Sequence, residues 1–170
     1  PSKQNFMALI ENLDQDAISK ALVMQDKIGK TPLHCAAQRK SPEVLMALIE
    51  KVDQKSLSGA LVMQDKISQT PLHIATWQDS PEVLMALIEN VDQDAISKAL
   101  VMQDKIGQTP LHSVMKIPSD EAVMDVIAVI EKVDQDAINK ALVMQDYYGQ
   151  RPLYLAEKSN YKFHYQKIIS

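Results

Sequence analysis

Apolar and polar positions follow one pattern that recurs along most of this chain. The segment Thr-Pro-Leu-His begins at Thr31, Thr70 and Thr109, and a degenerate copy, Arg-Pro-Leu-Tyr, begins at Arg151. The copies are 39 residues apart from 31 to 70 and from 70 to 109, and 42 residues apart from 109 to 151. A fixed period of this length is typical of repeat proteins, in which neighbouring units bury each other's apolar faces.

Each copy predicts a pair of helices. Threonine caps a helix through its side-chain oxygen, and proline is tolerated at the first helical position, so a first helix is predicted at each copy. A second helix is predicted after Ser41 and after Ser80, where Ser-Pro-Glu gives the same pattern and places a glutamate near the positive helix end. The residues 44–49 and 83–88 are apolar around most of the helix, as expected between neighbouring units. The additional residues of the longer spacing are placed at Pro118 to Glu121, between the two helices.

A tight turn is predicted before each copy. Aspartate is followed three residues later by glycine in the segments 26–29, 104–107 and 146–149, and by Ser68 in the segment 65–68. The aspartate side chain bonds to the backbone two residues on, and glycine accepts the positive φ of a tight hairpin tip. Ser68 is expected to cost about 1 kcal/mol if its φ is positive, which makes its hairpin the weakest.

A third, short helix is predicted between the second helix and the next turn. Residues 14–22 have copies that begin at Asp53, Asp92 and Asp134. In the copy at Asp92, one helical stripe carries four apolar residues, namely Ala95, Ile96, Ala99 and Leu100. The aspartate at the start of each copy is placed to cap this helix.

These motifs resemble the ankyrin repeat over nearly the whole chain: Asp, then Gly three residues later, then Thr-Pro-Leu-His, with Ala36 or Ala75 two residues beyond the histidine. An ordinary ankyrin unit has about 33 residues, so each unit here carries roughly six more. The resemblance implies an all-α ankyrin-repeat solenoid with hairpin turns and a short extra helix inserted between successive units. We interpret residues 1–170 as one domain, with a partial unit 1–30, units 31–69, 70–108 and 109–150, and a degenerate C-terminal cap 151–170. The lengthened, near-identical copies are similar in style to ankyrin effectors of intracellular bacteria.

Composition narrows the classes of function. Hydrophobic residues make up 46% of the chain and aromatic residues 5%, a profile usual for packed helices. The net charge of −4, with basic residues scattered among acidic ones, argues against nucleic acid as a partner. No membrane span or signal peptide is visible. Cys35 is the single cysteine, which favours a reducing compartment and hence a cytoplasmic location, or the host cytosol for a secreted bacterial effector.

Residues that carry chemistry elsewhere have structural explanations here. His34, His73 and His112 occupy the same position in successive units, roughly 10 Å apart, so they cannot share one metal ion. We expect each to tie a hairpin to a helix by bonding the backbone. Cys35 follows His34 directly, but adjacent helical residues point apart, so a small core residue is favoured over a nucleophile. We therefore predict no enzyme activity, no cofactor and no metal site.

The resemblance implies that a protein partner is held by the hairpin tips and the first helices. The partner-binding residues expected on this basis are Lys27, Ile28, Gln38, Arg39, Lys66, Ile67, Trp77, Gln78, Lys105, Ile106, Lys116, Ile117, Tyr147 and Tyr148. Trp77, the only tryptophan, is either an interface anchor or packs on its neighbouring loop. The isoleucines at the tips either form an exposed apolar ladder or cover the inserted helices.

The predicted function is a protein–protein interaction module, acting as a monomer. One alternative is a targeting or spacer domain of a larger enzyme, such as a bacterial effector that modifies host proteins. Another is a purely structural role in which the copies carry no site.

Overall fold

The computed structural model of the chain describes residues 3–77, 80–117 and 119–158, which form three sets of α-helices. The first helices, which begin at the Thr-Pro-Leu-His copies, are α3 (Pro32–Ala37), α6 (Pro71–Trp77), α9 (Pro110–Val114) and α12 (Pro152–Lys158). The second helices are α1 (Lys3–Glu11), α4 (Pro42–Lys51), α7 (Pro81–Asn90) and α10 (Asp120–Ile130). The inserted helices are α2 (Gln15–Leu22), α5 (Gln54–Leu61), α8 (Gln93–Leu100) and α11 (Gln135–Val143).

Helices of the same set pack against one another from unit to unit. The first helices follow the order α3, α6, α9, α12, the second helices the order α1, α4, α7, α10, and the inserted helices the order α2, α5, α8, α11. First helices also contact the second and the inserted helices, so one continuous core runs through the stack. The described residues contain no β-strand. The predicted all-α solenoid with an extra helix between units is confirmed.

The first helices begin where the sequence predicts. Thr31 stands at the N-cap of α3, and its hydroxyl oxygen accepts a hydrogen bond from the His34 backbone N–H at 3.4 Å. Thr70 accepts the same bond from His73 at 3.4 Å. In α3, α6 and α9, the leucine after the proline is the buried anchor of the helix, with an exposure of 2% or less at Leu33, Leu72 and Leu111.

The second helices bury their apolar runs, but their serines act differently from the prediction. Ser41 and Ser80 stand at N-cap positions and make no capping hydrogen bond. The Ser41 hydroxyl instead donates to a carboxylate oxygen of Glu43 at 2.6 Å, and Ser80 donates to Glu82 at 3.1 Å. The charged carboxylate two residues away is a strong acceptor for the serine hydroxyl. The hydroxyl is oriented toward it, and the serine oxygen therefore does not face the N–H groups at the start of the helix. Ser119, in the third unit, does cap α10 by accepting from the Ala122 N–H at 3.3 Å.

The inserted helices are confirmed, and their aspartate caps are confirmed in part. The predicted stripe of α8 is buried, with exposures of 0 to 8% at Ala95, Ile96, Ala99 and Leu100. Asp53 caps α5 by accepting from the Ser56 N–H at 2.8 Å and from its hydroxyl at 2.7 Å. These bonds lower the pKa of Asp53 to about 2. Asp14 and Asp92 stand at the same position without a capping bond.

The three additional residues of the third unit do not lie where the sequence analysis placed them. Counted from the threonine of each unit, α10 begins at the same offset as α7, since 109 to 120 equals 70 to 81. The extra length lies at the other end of α10, which has 11 residues against 10 in α7. The other two additional residues lengthen the turn that follows α10. This turn spans residues 131–134, whereas the equivalent link after α7 spans residues 91–92. Packing of α10 on α7 fixes its start, so the insertion is absorbed in the exposed turn.

The turns have the backbone conformation that was predicted. Three glycines have positive φ, namely Gly29 (79°), Gly107 (79°) and Gly149 (72°). Ser68 occupies the same position with φ of 60°, as a residue with a Cβ that must accept the left-handed region. Within the described ranges, no helix combines the length and the apolar character needed to cross a membrane.

Candidate protein-binding surface

Each hairpin is organised by its aspartate. One carboxylate oxygen of Asp26 accepts from the backbone N–H groups of Ile28 and Lys30, both at 2.9 Å. Asp65, Asp104 and Asp146 repeat this pair of bonds in their own hairpins at 2.9 to 3.0 Å. Burial raises the pKa of Asp146, but the hydrogen bonds it accepts outweigh this effect and leave its pKa below the usual value. The aspartates therefore fix the tips as rigid turns.

The hairpins also bond to one another. The Lys66 N–H donates to the Ile28 carbonyl, the Lys105 N–H to the Ile67 carbonyl, and the Tyr147 N–H to the Ile106 carbonyl, each at 3.0 Å. These bonds join four successive tips into one ribbon at the edge of the stack. Because the backbone is fixed before any partner arrives, binding there would avoid much of the entropy cost of ordering loops.

A glutamine ladder supports the ribbon and was not singled out from the sequence. The Gln64 side-chain amide donates to the Ser68 carbonyl of its own hairpin at 2.8 Å and to the Gln103 carbonyl of the next unit at 3.0 Å. Gln25 and Gln103 repeat both bonds in their units. The signal in the sequence was the glutamine before every hairpin aspartate, which recurs as faithfully as the histidines.

The three buried histidines connect each first helix to the hairpin that follows it along the chain. Nδ1 of His34 accepts from the Thr31 N–H at 3.1 Å, and Nε2 donates to the carbonyl of Gln69, at the end of the following hairpin, at 2.9 Å. His73 and His112 make the same bonds one unit further along. The predicted structural role, in which each histidine ties a hairpin to a helix, is confirmed.

The hydrogen bonds define the state of these rings. Since Nδ1 accepts and Nε2 donates, each ring is neutral with its proton on Nε2. Burial lowers the pKa of each histidine, although the bond to the carbonyl of the following hairpin acts in the opposite direction. Protonation would place a second donor against the threonine N–H, so the neutral ring is the form that suits the fold.

Side chains on the outside of the ribbon are exposed. The apolar tip residues have exposed fractions of 54% at Ile28, 51% at Ile67, 41% at Ile106 and 73% at Tyr148, and Tyr147 is 74% exposed. These exposures favour the exposed ladder over the alternative in which the isoleucines cover the inserted helices. Lys27, Lys66 and Lys105 are also exposed beside them.

The ends of the first helices border the ribbon. Lys30 Nζ donates to the Gln38 side chain at 2.9 Å, and Lys116 Nζ donates to the Gln108 side chain at 2.6 Å. Each bond links a hairpin to the end of the first helix that follows it. Trp77 stands at the position equivalent to Gln38 and Lys116, and 63% of its surface is exposed. This exposure disfavours the alternative in which Trp77 serves to pack on its neighbouring loop.

We define the hairpin face as the four tip pairs together with the exposed ends of the first helices. Its residues are Lys27, Ile28, Gln38, Arg39, Lys66, Ile67, Trp77, Lys105, Ile106, Lys116, Tyr147 and Tyr148. Gln78, which was also predicted to bind a partner, lies outside the described residues.

Two residues differ from their predicted environments. Ile117 was placed among the partner-binding residues, but it is 1% exposed and belongs to the core, because its apolar side chain turns inward where the equivalent Arg39 is exposed. Cys35 was expected to be a small core residue and is exposed. Its equivalent, Ile74, is buried in α6, which has a first helix on both sides, whereas α3 in the described chain contacts only α6 among the first helices.

His34 and Cys35 do not form a catalytic pair in this arrangement. Both ring nitrogens of His34 are engaged with the backbone, so this ring is not oriented as a base for Cys35. Within residues 3–77, 80–117 and 119–158, no group of three or more histidine, cysteine, aspartate or glutamate side chains is placed to hold a metal ion.

Comparison with known families agrees with this architecture. A family model described as ankyrin repeats (3 copies) matches residues 6–99, which is more than half of the chain. The chain therefore belongs to the ankyrin-repeat family, whose repeats are generally protein–protein interaction modules and typically non-catalytic. No curated protein matches the chain.

Proposed function

We propose that this chain is a protein-binding module that holds its partner on the hairpin face. The observation that carries the proposal is the exposure of Trp77, Tyr147 and Tyr148, at 63 to 74%, on a backbone fixed by hydrogen bonds between units. Large aromatic side chains held on a rigid surface are typical interface hot spots. Their exposure in the free protein leaves apolar area to be buried by a partner.

Affinity capture with matched variants tests this face. The wild-type chain and a triple variant, Trp77→Ala with Tyr147→Ala and Tyr148→Ala, serve as baits in candidate cell lysates. Truncating one hot spot costs about 2 kcal/mol, roughly 30-fold in affinity, so the triple variant is expected to lose the partner. Circular dichroism should show unchanged helix content, because all three side chains are exposed.

A control variant replaces exposed apolar side chains that lie outside the hairpin face. Met24 and Val143 are 68% and 62% exposed and lie outside the hairpin face, so Met24→Ser with Val143→Ser should retain the partner. Equal recovery of every protein by the wild type and the aromatic variant would contradict the proposed face. That outcome would favour the purely structural role.

Three predictions about the setting of the protein accompany this proposal. They are an effector role, a cytoplasmic or host-cytosolic location and a monomeric state, and they stay predictions. A catalytic domain in the same reading frame would support the alternative of a targeting or spacer arm of an enzyme. Sedimentation equilibrium at several concentrations tests the monomer, and a concentration-dependent rise in mass would contradict it.

A further inference from the structure

The charge of this acidic protein is divided between its layers. Among the described residues, the hairpins, first helices and adjoining links, residues 26–40, 65–77, 104–117 and 146–158, contain nine basic and five acidic residues, a net charge of +4. The second and inserted helices with their links, residues 3–25, 41–64, 80–103 and 118–145, contain seven basic and sixteen acidic residues, a net charge of −9. The hairpin side is therefore positively charged and the rest of the stack negatively charged, although the whole chain has a net charge of −4.

Most acidic side chains on the hairpin side point toward the backbone and accept hydrogen bonds from it. Four of the five are the hairpin aspartates, each of which has one carboxylate oxygen occupied by two backbone N–H groups. Asp65 and Asp146 are also buried. The lysines of the tips, by contrast, extend into solvent. A partner that approaches the hairpin face therefore meets positive charge first.

Within the residues that the structure describes, the lysines of the hairpin face form no ion pair. Lys116 of this face and the neighbouring Lys30 donate to uncharged glutamine side chains. In the described part of the chain, the ion pairs are Lys20 with Asp16 at 3.8 Å and Lys132 with Glu89 at 2.8 Å, and both lie on the second and inserted helices or the turns that follow them. Carboxylates from outside the chain are the natural complement for the tip lysines.

The repeat sets the spacing of these charges. Three successive tips present a lysine followed by an isoleucine, namely Lys27-Ile28, Lys66-Ile67 and Lys105-Ile106, and the fourth presents Tyr147-Tyr148. Packed helices of neighbouring units lie about 8 to 10 Å apart, and an extended peptide in the polyproline-II conformation rises about 3.1 Å per residue and has three residues per turn, so that every third side chain lies on one face. One unit of the stack thus corresponds to about three residues of an extended peptide.

We propose that the occupant of the hairpin face is an extended acidic segment with a carboxylate at about every third residue and apolar residues between. The carboxylates meet Lys27, Lys66 and Lys105, and the apolar residues meet the isoleucine ladder beside them. This inference rests on the proposed protein-binding function and names the chemistry of its partner.

A peptide titration tests the inference on the full chain. The probe is a fluorescein-labelled peptide of four glutamate-leucine-serine triplets, and binding is followed by fluorescence anisotropy. Two comparison peptides are used: one in which lysine replaces each glutamate, and one of identical composition with its glutamates in a single block. The triplet peptide is expected to bind at least about tenfold more tightly than the lysine peptide, to bind more tightly than the block peptide, and to weaken as salt is raised.

Matched charge variants locate the site. Lys66→Glu with Lys105→Glu is expected to weaken binding of the triplet peptide at least about tenfold, because two attractions become repulsions. Lys98→Glu with Lys140→Glu makes the same change in net charge at exposed positions of α8 and α11, and should bind like the wild type. Circular dichroism and urea unfolding confirm that both variants remain folded.

Three outcomes would overturn the proposal. The first is equal affinity for the glutamate and lysine peptides, and the second is an equal effect of the two variants. The third is tighter binding of a single-stranded thymidine oligonucleotide that is lost in the Lys66 and Lys105 variant, which would make the face a nucleic-acid site. The proposed function is judged apart from these results, since it stands if the aromatic variant alone loses a captured protein.

Discussion

Replacing Gly107 with alanine tests whether neighbouring hairpins are held in close contact. A Cβ at this position would lie 2.8 Å from the backbone nitrogen of Tyr147 and 2.6 Å from its ring carbon Cδ1. The exposed ring can move aside, but that nitrogen donates to the Ile106 carbonyl across the boundary between units. The substitution therefore strains both the turn and the bond to the next hairpin.

Gly149→Ala is the matched control for this change. Its φ of 72° is close to the 79° of Gly107, but a Cβ there meets no atom within 4 Å. The left-handed conformation costs an alanine about 1 to 2 kcal/mol at either position. At Gly107 the loss of a backbone hydrogen bond adds about 1 kcal/mol, so we expect a total of about 2 to 3 kcal/mol.

Urea unfolding followed by circular dichroism measures both variants against the wild type. Gly107→Ala should lower the free energy of unfolding by about 1 kcal/mol more than Gly149→Ala does. Equal losses would refute the contact between hairpins, because conformational strain alone would then explain both values.

Three further predictions follow from the same units. Ser68→Gly should raise the free energy of unfolding by about 1 kcal/mol, since φ of 60° penalises serine, and an unchanged urea midpoint would contradict this. Gly59→Ala, in the exposed middle of α5 where a Cβ meets nothing within 4 Å, should also stabilise by about 1 kcal/mol, and a lower midpoint would argue against a helix there. The pKa values of His34, His73 and His112 are lowered on folding, so below about pH 6.5 the unfolded chain binds more protons than the folded one. The urea midpoint should therefore be constant well above pH 6.5 and fall as the pH is lowered through this value, so that it is lower at pH 5.5 than at pH 7.5, whereas a midpoint that rises on acidification would contradict the neutral rings.

Local signals predicted much of the fold. The helix starts at Thr31 and Thr70, the inserted helices and the positive φ at Ser68 all depend on residues close in sequence. The same reasoning was wrong for the Ser41 cap, because a nearby carboxylate competed for the hydroxyl. It was also wrong for the insertion in the third unit, because packing against α7 decides where α10 begins.

The candidate site depends more on tertiary neighbours. The burial of Ile117 and the exposure of Cys35 follow from which helices lie beside them, and their equivalents in other units differ. The positive charge of the hairpin side could not be predicted from the sequence for the same reason, because it depends on tertiary neighbours. Basic and acidic residues are interspersed along the chain, and only the stacking of units collects the lysines on one side.

Amide hydrogen exchange measured by NMR tests most directly whether the hairpin face is preformed. The N–H groups of Lys66, Lys105 and Tyr147 lie in turns with exposed side chains, and each donates to the preceding hairpin. Lys27 has the same position in the first hairpin of the described chain, so its N–H is an internal control. We predict slow exchange at Lys66, Lys105 and Tyr147 and fast exchange at Lys27. Exchange of all four amides at the rate of an open loop would contradict a continuous ribbon of hairpins.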